Sequence, residues 1–119
     1  MSHNSTFKKK YSFQTRIEES RRLLTMYPNK RPIICEKATS QSGLPDTNKQ
    51  KYLVPYDLTL SQFITVIRQK MKLKQQDAIF VFINDQIMTG SALIGNIYNF
   101  HRDTDGFLYI QYTKENTFG

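Results

Sequence analysis

The chain has 119 residues and a formal net charge of +7, with 39% hydrophobic, 13% aromatic and 23% charged residues. That length suits one domain with a modest core of its own, and the balance excludes a disordered polymer. No apolar run approaches the roughly 18 residues of a membrane span, and the stretch from Met1 to Thr6 lacks the apolar segment of a secretory signal.

One cysteine, Cys35, rules out an intramolecular disulfide framework and suits a reducing cytoplasm. The Asn4-Ser5-Thr6 triplet fits a glycosylation acceptor, but with no signal for secretion it has no consequence. The charge is uneven. Residues 1–37 hold nine Lys/Arg against three acids, residues 38–74 six against two, and residues 75–119 two against five. A basic first two-thirds favours an acidic partner, whether anionic lipid, nucleic acid or acidic peptide.

In chain order, Phe7-Lys8-Lys9-Lys10-Tyr11 forms a basic leader. From Ser12 to about Tyr27, Phe13, Ile17 and Leu24 recur at helical spacing. Thr15 and Glu18 fit a capping box there, and Pro28 stops the helix. Residues 33–37 are expected to form a strand, residues 39–46 a loop, and residues 51–55 a second strand whose closing Pro55 places it at a sheet edge. Thr59 and Gln62 fit a capping box for a helix whose apolar side is Leu60, Phe63, Ile64, Ile67 and Met71. The apolar run 78–83 predicts a central strand covered on both faces. Asn84-Asp85 is a turn and Ile87-Met88 a stub of strand. A short helix follows Ser91, with Leu93, Ile94, Ile97 and Tyr98 as its apolar side. Residues 107–112 alternate, with Leu108, Ile110 and Tyr112 facing one way and Phe107, Tyr109 and Gln111 the other.

Two strands, a long helix and further strands predict an α+β fold, a ubiquitin-like β-grasp with a four-stranded sheet and packed helices. Residues 1–28 form a helical extension in front of the β-grasp domain, residues 29–119, the two making one unit.

Catalytic chemistry finds no constellation. Cys35 lacks a base, since His3 falls in the leader and His101 in a presumed loop, and alternation with Ile33 makes Cys35 a core residue. No Cys or His pairs stand at metal-ligand spacing. Gly90 and Gly95 have the spacing of a phosphate loop, but Asn96-Ile97 replaces its Lys-Ser/Thr. Asp103 and Asp105, beside Gly106, are expected to be solvated turn residues.

Surface features remain. The edge strand Lys51-Tyr52-Leu53-Val54 offers unpaired backbone groups for β-augmentation, and its alternation gives a peptide two apolar footholds. Around it cluster Lys8, Lys9, Lys10, Lys49, Lys51, Arg68 and Lys70, a rim suited to acidic peptide residues. Nucleic acid shares the charge but has no recognisable binding signature here, so none is expected. The chain ends Thr117-Phe118-Gly119, and a glycine carboxylate enters a narrow active site without steric hindrance.

These residues resemble the autophagy ubiquitin-like modifiers, the group of the GABA-receptor-associated protein and the microtubule-associated-protein light chain. The resemblance spans Phe7 to Gly119. It rests on Tyr27-Pro28, Arg31-Pro32-Ile33-Ile34-Cys35-Glu36-Lys37, Lys51-Tyr52-Leu53-Val54-Pro55, Ile67-Arg68, Phe107-Leu108-Tyr109 and Thr117-Phe118-Gly119. It implies a non-enzymatic cytoplasmic protein that needs no cofactor. Its Gly119 would be activated and conjugated to phosphatidylethanolamine by dedicated enzymes, and processed or released by a cysteine protease. On the autophagosome membrane it would recruit cargo receptors through aromatic-x-x-aliphatic motifs.

Carried over by position, the resemblance implies an aromatic pocket of Glu19, Leu23, Pro32, Ile34, Lys51, Leu53 and Phe107, with Glu19 and Lys51 as an ionic gate. The aliphatic pocket would comprise Tyr52, Val54, Pro55, Leu58, Phe63, Val66 and Ile67. Arg68 would contact the protease, and Lys49 and Lys70 acidic ligand groups. Lys70 stands where some members carry arginine, keeping charge but losing the bidentate fork. Whether Gly119 is an encoded end or the product of trimming is open. A non-conjugated β-grasp peptide adaptor is the alternative reading, and electrostatic binding to nucleic acid or an acidic filament a more remote one.

Overall fold

The structure, a computed structural model, describes residues 5–38 and 50–113. Its helices begin where hydroxyls meet amides that lack an intrahelical partner. Ser5 Oγ accepts from the Lys8 amide at the start of α1 (Thr6–Lys10), and Ser12 Oγ from the Thr15 amide at the start of α2 (Phe13–Met26). Two expectations change here. The basic leader contains a helical turn, and Thr15 is the residue capped rather than the cap. Glu18 instead accepts from Gln14 Nε2 at 2.9 Å. The helix ends as expected: the Tyr27 amide closes on the Leu23 carbonyl, and Pro28 follows.

The buried stripe of α2 also differs from the expected one. Arg16, Ser20 and Leu23 are buried, while Phe13 is 47% exposed. Polar residues are stable on this face because they find partners there. Asp105, expected to be solvated, is 1% exposed. Its carboxylate accepts from Arg16 Nε at 2.8 Å, the Phe107 amide at 2.9 Å and the Tyr109 hydroxyl at 2.5 Å. Its carbonyl accepts from the Ser20 hydroxyl at 2.6 Å. Asp103 is partly buried and accepts from Lys8 Nζ at 2.6 Å. The turn before the last strand is thus bolted to both N-terminal helices.

The strands are β1 (Lys30–Lys37), β2 (Lys51–Pro55), β3 (Phe80–Ile83), β4 (Gln86–Ile87) and β5 (Leu108–Thr113), in the sheet order β2-β1-β5-β3-β4. The parallel pair β1/β5 lies at the centre and antiparallel partners lie outside it. This is the ubiquitin-like arrangement, with the stub β4 as a fifth strand beyond the four expected. The run 78–83 shortens to β3, with Ala78 and Ile79 left in the preceding connection, and the central place goes to β5. Asn84 and Asp85 have φ of 52° and 62°, the left-handed pair that a tight hairpin turn requires.

Helix α3 (Leu60–Met71) carries the expected capping box, in which Thr59 and Gln62 each bond the other's amide. Helix α4 (Ile94–His101) buries Ile94, Ile97 and Tyr98, whereas Leu93 is its N-cap residue and 39% exposed. The main core includes Ile33, Cys35, Tyr52, Val54, Leu108, Ile110 and Tyr112 from the sheet with Leu60, Phe63, Ile67 and Met71 from α3. On the other face Ile34 and Phe107 meet Phe7 of α1 and Leu23 of α2. Alternation along β1 assigns Ile34 to one core and its neighbours Ile33 and Cys35 to the other.

Candidate functional site

Strand β2 lies at the edge of the sheet and pairs there with β1 through a register that sets Leu53 opposite Pro32 and Lys51 opposite Ile34. Tyr52 and Val54 enter the main core, while Leu53 packs against the α2-side cluster. The edge therefore presents apolar side chains to both faces of the sheet, as the alternation predicts.

On the α2 side, Lys51 Nζ donates to Glu19 Oε2 at 2.5 Å. The hydrogen bond from Lys51, helped by Arg22, holds the Glu19 carboxyl below its ordinary range against the opposing effect of burial. This pair stands on a concavity of about 350 Å³ whose lining also includes Phe7, Tyr11 and Arg22. Leu23, Ile34 and Phe107 lie in the adjoining cluster and are closed to solvent. Pro32 is buried on β1. Phe7 was not singled out from the sequence, yet it is 7% exposed and its ring meets Phe107 edge-on at 5.3 Å. The one available signal was Ser5, a cap before a single helical turn.

On the α3 side, Tyr52, Val54, Pro55, Leu58, Phe63 and Val66 share the lining of a concavity of about 180 Å³ with Leu53 and Lys70. Ile67, carried into this set by resemblance, is 3% exposed in the main core. Arg68 turns its guanidinium onto the carbonyls of Asp77 at 2.6 Å and Lys74 at 2.8 Å, bracing the connection to β3. Lys49 and Gly119 lie outside the described residues.

Burial, seconded by the neighbouring Glu36 charge, pushes the Cys35 thiol far above its ordinary range. It is a core residue. Among the described residues no group of His, Cys, Asp and Glu is arranged to hold a metal ion, and no helix is long and apolar enough to cross a membrane.

A family model described as "Autophagy protein Atg8 ubiquitin like" matches residues 15–119. The chain belongs to the Atg8 family. It is 50% identical over 115 residues to autophagy-related protein 8 of Saccharomyces cerevisiae, covering 97% of each chain. It is 47% identical to the Candida albicans protein of that name, covering 97% of this chain and 84% of the relative. Among solved structures, Trypanosoma brucei ATG8 superposes with a TM-score of 0.89 at 38% identity, covering 98% of this chain and 99% of the other. Plasmodium falciparum Atg8, solved in complex with a Plasmodium falciparum Atg3 peptide, superposes with a TM-score of 0.86 at 28% identity, covering 94% and 98%. The Atg8 match and the mixed five-stranded sheet agree on a ubiquitin-like fold with N-terminal helices in front.

Proposed function

We propose that this Atg8-family chain is a lipid-conjugated modifier, cytoplasmic before conjugation and held on the autophagosome membrane after it. The observation that carries the reading is an edge strand with a concavity on either side, the α3-side one lined by apolar residues, in a chain of this family. An extended peptide adding to β2 would satisfy its outer backbone groups. It would set an aromatic side chain beside Leu23, Pro32, Ile34, Leu53 and Phe107, with Glu19 and Lys51 parting at the mouth. An aliphatic side chain three residues on would enter the concavity lined by Val54, Leu58, Phe63 and Val66. Lys49 and Lys70 would meet acidic residues of the ligand, and Arg68 the processing and delipidating protease. A relative that forms a complex with an Atg3 peptide supports short-peptide recognition by a conjugation partner.

Gly119 is the reacting residue in this reading. Its carboxylate attacks the α-phosphate of ATP and pyrophosphate leaves. The activating enzyme's thiolate then displaces AMP to form a thioester, the conjugating enzyme's thiolate displaces the first thiolate, and the amine of phosphatidylethanolamine displaces the second to form an amide. The chain contributes the carboxylate and the docking surfaces, and the activating and conjugating enzymes contribute the thiols.

The test is reconstitution with those enzymes, ATP and phosphatidylethanolamine vesicles. A lipidated band is expected for the wild-type chain and none for Gly119→Ala. Lipidation that survives the substitution would refute the assignment. In a separate titration, Leu53→Ala should weaken an aromatic-x-x-aliphatic peptide by roughly 1–3 kcal/mol, as for a truncated pocket residue. Unchanged affinity would remove the edge from the proposal.

A further inference from the structure

We propose that the groove between α2 and α4 is a second docking site, one that takes an acidic peptide segment carrying an aliphatic side chain. The groove encloses about 510 Å³ between Ile17, Arg21 and Leu24 of α2, Tyr98 of α4 with Arg102 at its C-cap, and the 103–106 turn. It lies away from the β2 edge, so α2 serves the two sites with different faces. Glu19 and Leu23 turn toward one, Ile17, Arg21 and Leu24 toward the other.

The electrostatics favour an anion. Arg21 is exposed and makes no ion pair among the described residues. Among the described residues the Arg102 guanidinium hydrogen-bonds only the carbonyl of Asn99, in the helix that Arg102 caps, and it stands 5.7 Å from the Tyr98 ring. Arg31 stands 5.6 Å from the same ring and adds to the positive field. Two acids line the groove, but each is already neutralised by a cation that does not: Asp103 by Lys8 at 2.6 Å and Asp105 by Arg16 at 2.8 Å. What remains toward solvent is a pair of guanidinium groups suited to carboxylates.

The floor favours a peptide over other polyanions. Ile17 and Leu24 are only partly buried and offer an aliphatic foothold. The one aromatic lining residue, Tyr98, is 5% exposed and donates its hydroxyl to the Gly106 carbonyl at 2.7 Å, which leaves no ring face for a base to stack on. A flat bilayer cannot follow a groove between helices. The walls are preformed: a Cβ at Gly106 would stand 2.3 Å from Ser20 Oγ, so the turn sits directly on α2.

The test is an NMR titration of the unconjugated full chain with the peptide acetyl-Glu-Glu-Leu-Glu-Glu-Ile-amide, which has no aromatic residue for the β2 site. The expected result is shifts at Arg21, Leu24, Asn99 and Arg102, with Arg21→Glu/Arg102→Glu raising Kd at least tenfold and Leu53→Ala leaving it unchanged. Absence of binding at millimolar peptide, shifts centred on 51–55, or affinity indifferent to the arginine reversals would overturn the proposal. Equal affinity for an oligothymidine or for phosphatidylserine vesicles through the same arginines would overturn it in favour of general anion binding. Gly119→Ala should leave the titration unchanged, so failure of the conjugation reading and failure of this one are distinguishable.

Discussion

The Asp105 carboxylate ties α2 to the turn before β5 and to β5 itself. Removing it leaves the Arg16 guanidinium, 10% exposed at its side chain, without its counter-charge. It also strands the Phe107 amide and the Tyr109 hydroxyl. Breaking one partner of a buried pair costs about 3–5 kcal/mol, so Asp105→Ala should lower the unfolding free energy by that amount in urea denaturation. A loss below about 1 kcal/mol, the range of exposed pairs, would mean that the network is solvated. Nothing local in the sequence announces this role. Asp103-Thr104-Asp105-Gly106 has ordinary turn chemistry, and Arg16 is 89 positions away. Cys35 was legible because alternation with Ile33 needs no distant partner. With its thiol pushed up by burial, it should resist iodoacetamide at pH 8 in the folded chain and react fully in denaturant. Glu19 supplies the pH prediction. Its folded pKa lies below the ordinary 4.5, so the pair's contribution is present above that value and lost as pH falls through the folded one. The contribution is small at a surface. The sharper readout is the carboxyl midpoint by NMR, which Lys51→Ala should return toward 4.5.

Among the elements, α3 was the most legible, because its cap, its apolar spacing and its burial all agree. Thr59→Ala removes the acceptor for the Gln62 amide and should cost about 1 kcal/mol, the usual worth of an N-cap side chain. Denaturation midpoints with an unchanged m-value would measure it. The edge placement of β2 was legible from Pro55, since a proline cannot donate in a ladder. Helix α1 was hidden by its length of one turn, too short for any periodicity to register. What stabilises it is tertiary: the Glu36 carboxylate accepts from the Phe7 amide at 2.9 Å and the Thr6 hydroxyl at 2.9 Å, while Phe7 packs on Phe107. The α2 stripe was misread for a related reason, since a periodicity of apolar residues is blind to a face buried through Arg16 and Ser20. On the site itself, resemblance supplied the set Tyr52, Val54, Pro55, Leu58, Phe63 and Val66, which the fold gathers around one concavity. Periodicity alone had offered only the two faces of β2.

At the scale of the whole chain, the question is whether the N-terminal helices are an appendage or part of the folding unit. The described contacts favour a single unit. Ile34 and Phe107 are each 0% exposed, and they are covered by Phe7 and Leu23 from the extension. Arg16 and Ser20 bond Asp105, and Ser5, Thr6 and Phe7 bond Glu36, so polar and apolar contacts cross the same boundary. Deleting residues 1–28 would therefore uncover an apolar face and two carboxylates whose partners had been built into the fold. We expect the full chain to unfold in one cooperative transition, with the slowest-exchanging amides of α2 and β5 protected to the same free energy by hydrogen exchange. The truncated chain should bind a hydrophobic dye and aggregate, and substituting Ile34 and Phe107 with polar residues in it should reduce both. Two transitions, with α2 exchanging well before β5, would make the extension a separable cover over the α2-side concavity. In that case the Glu19–Lys51 pair would form and break with the helix rather than with the peptide that reaches it.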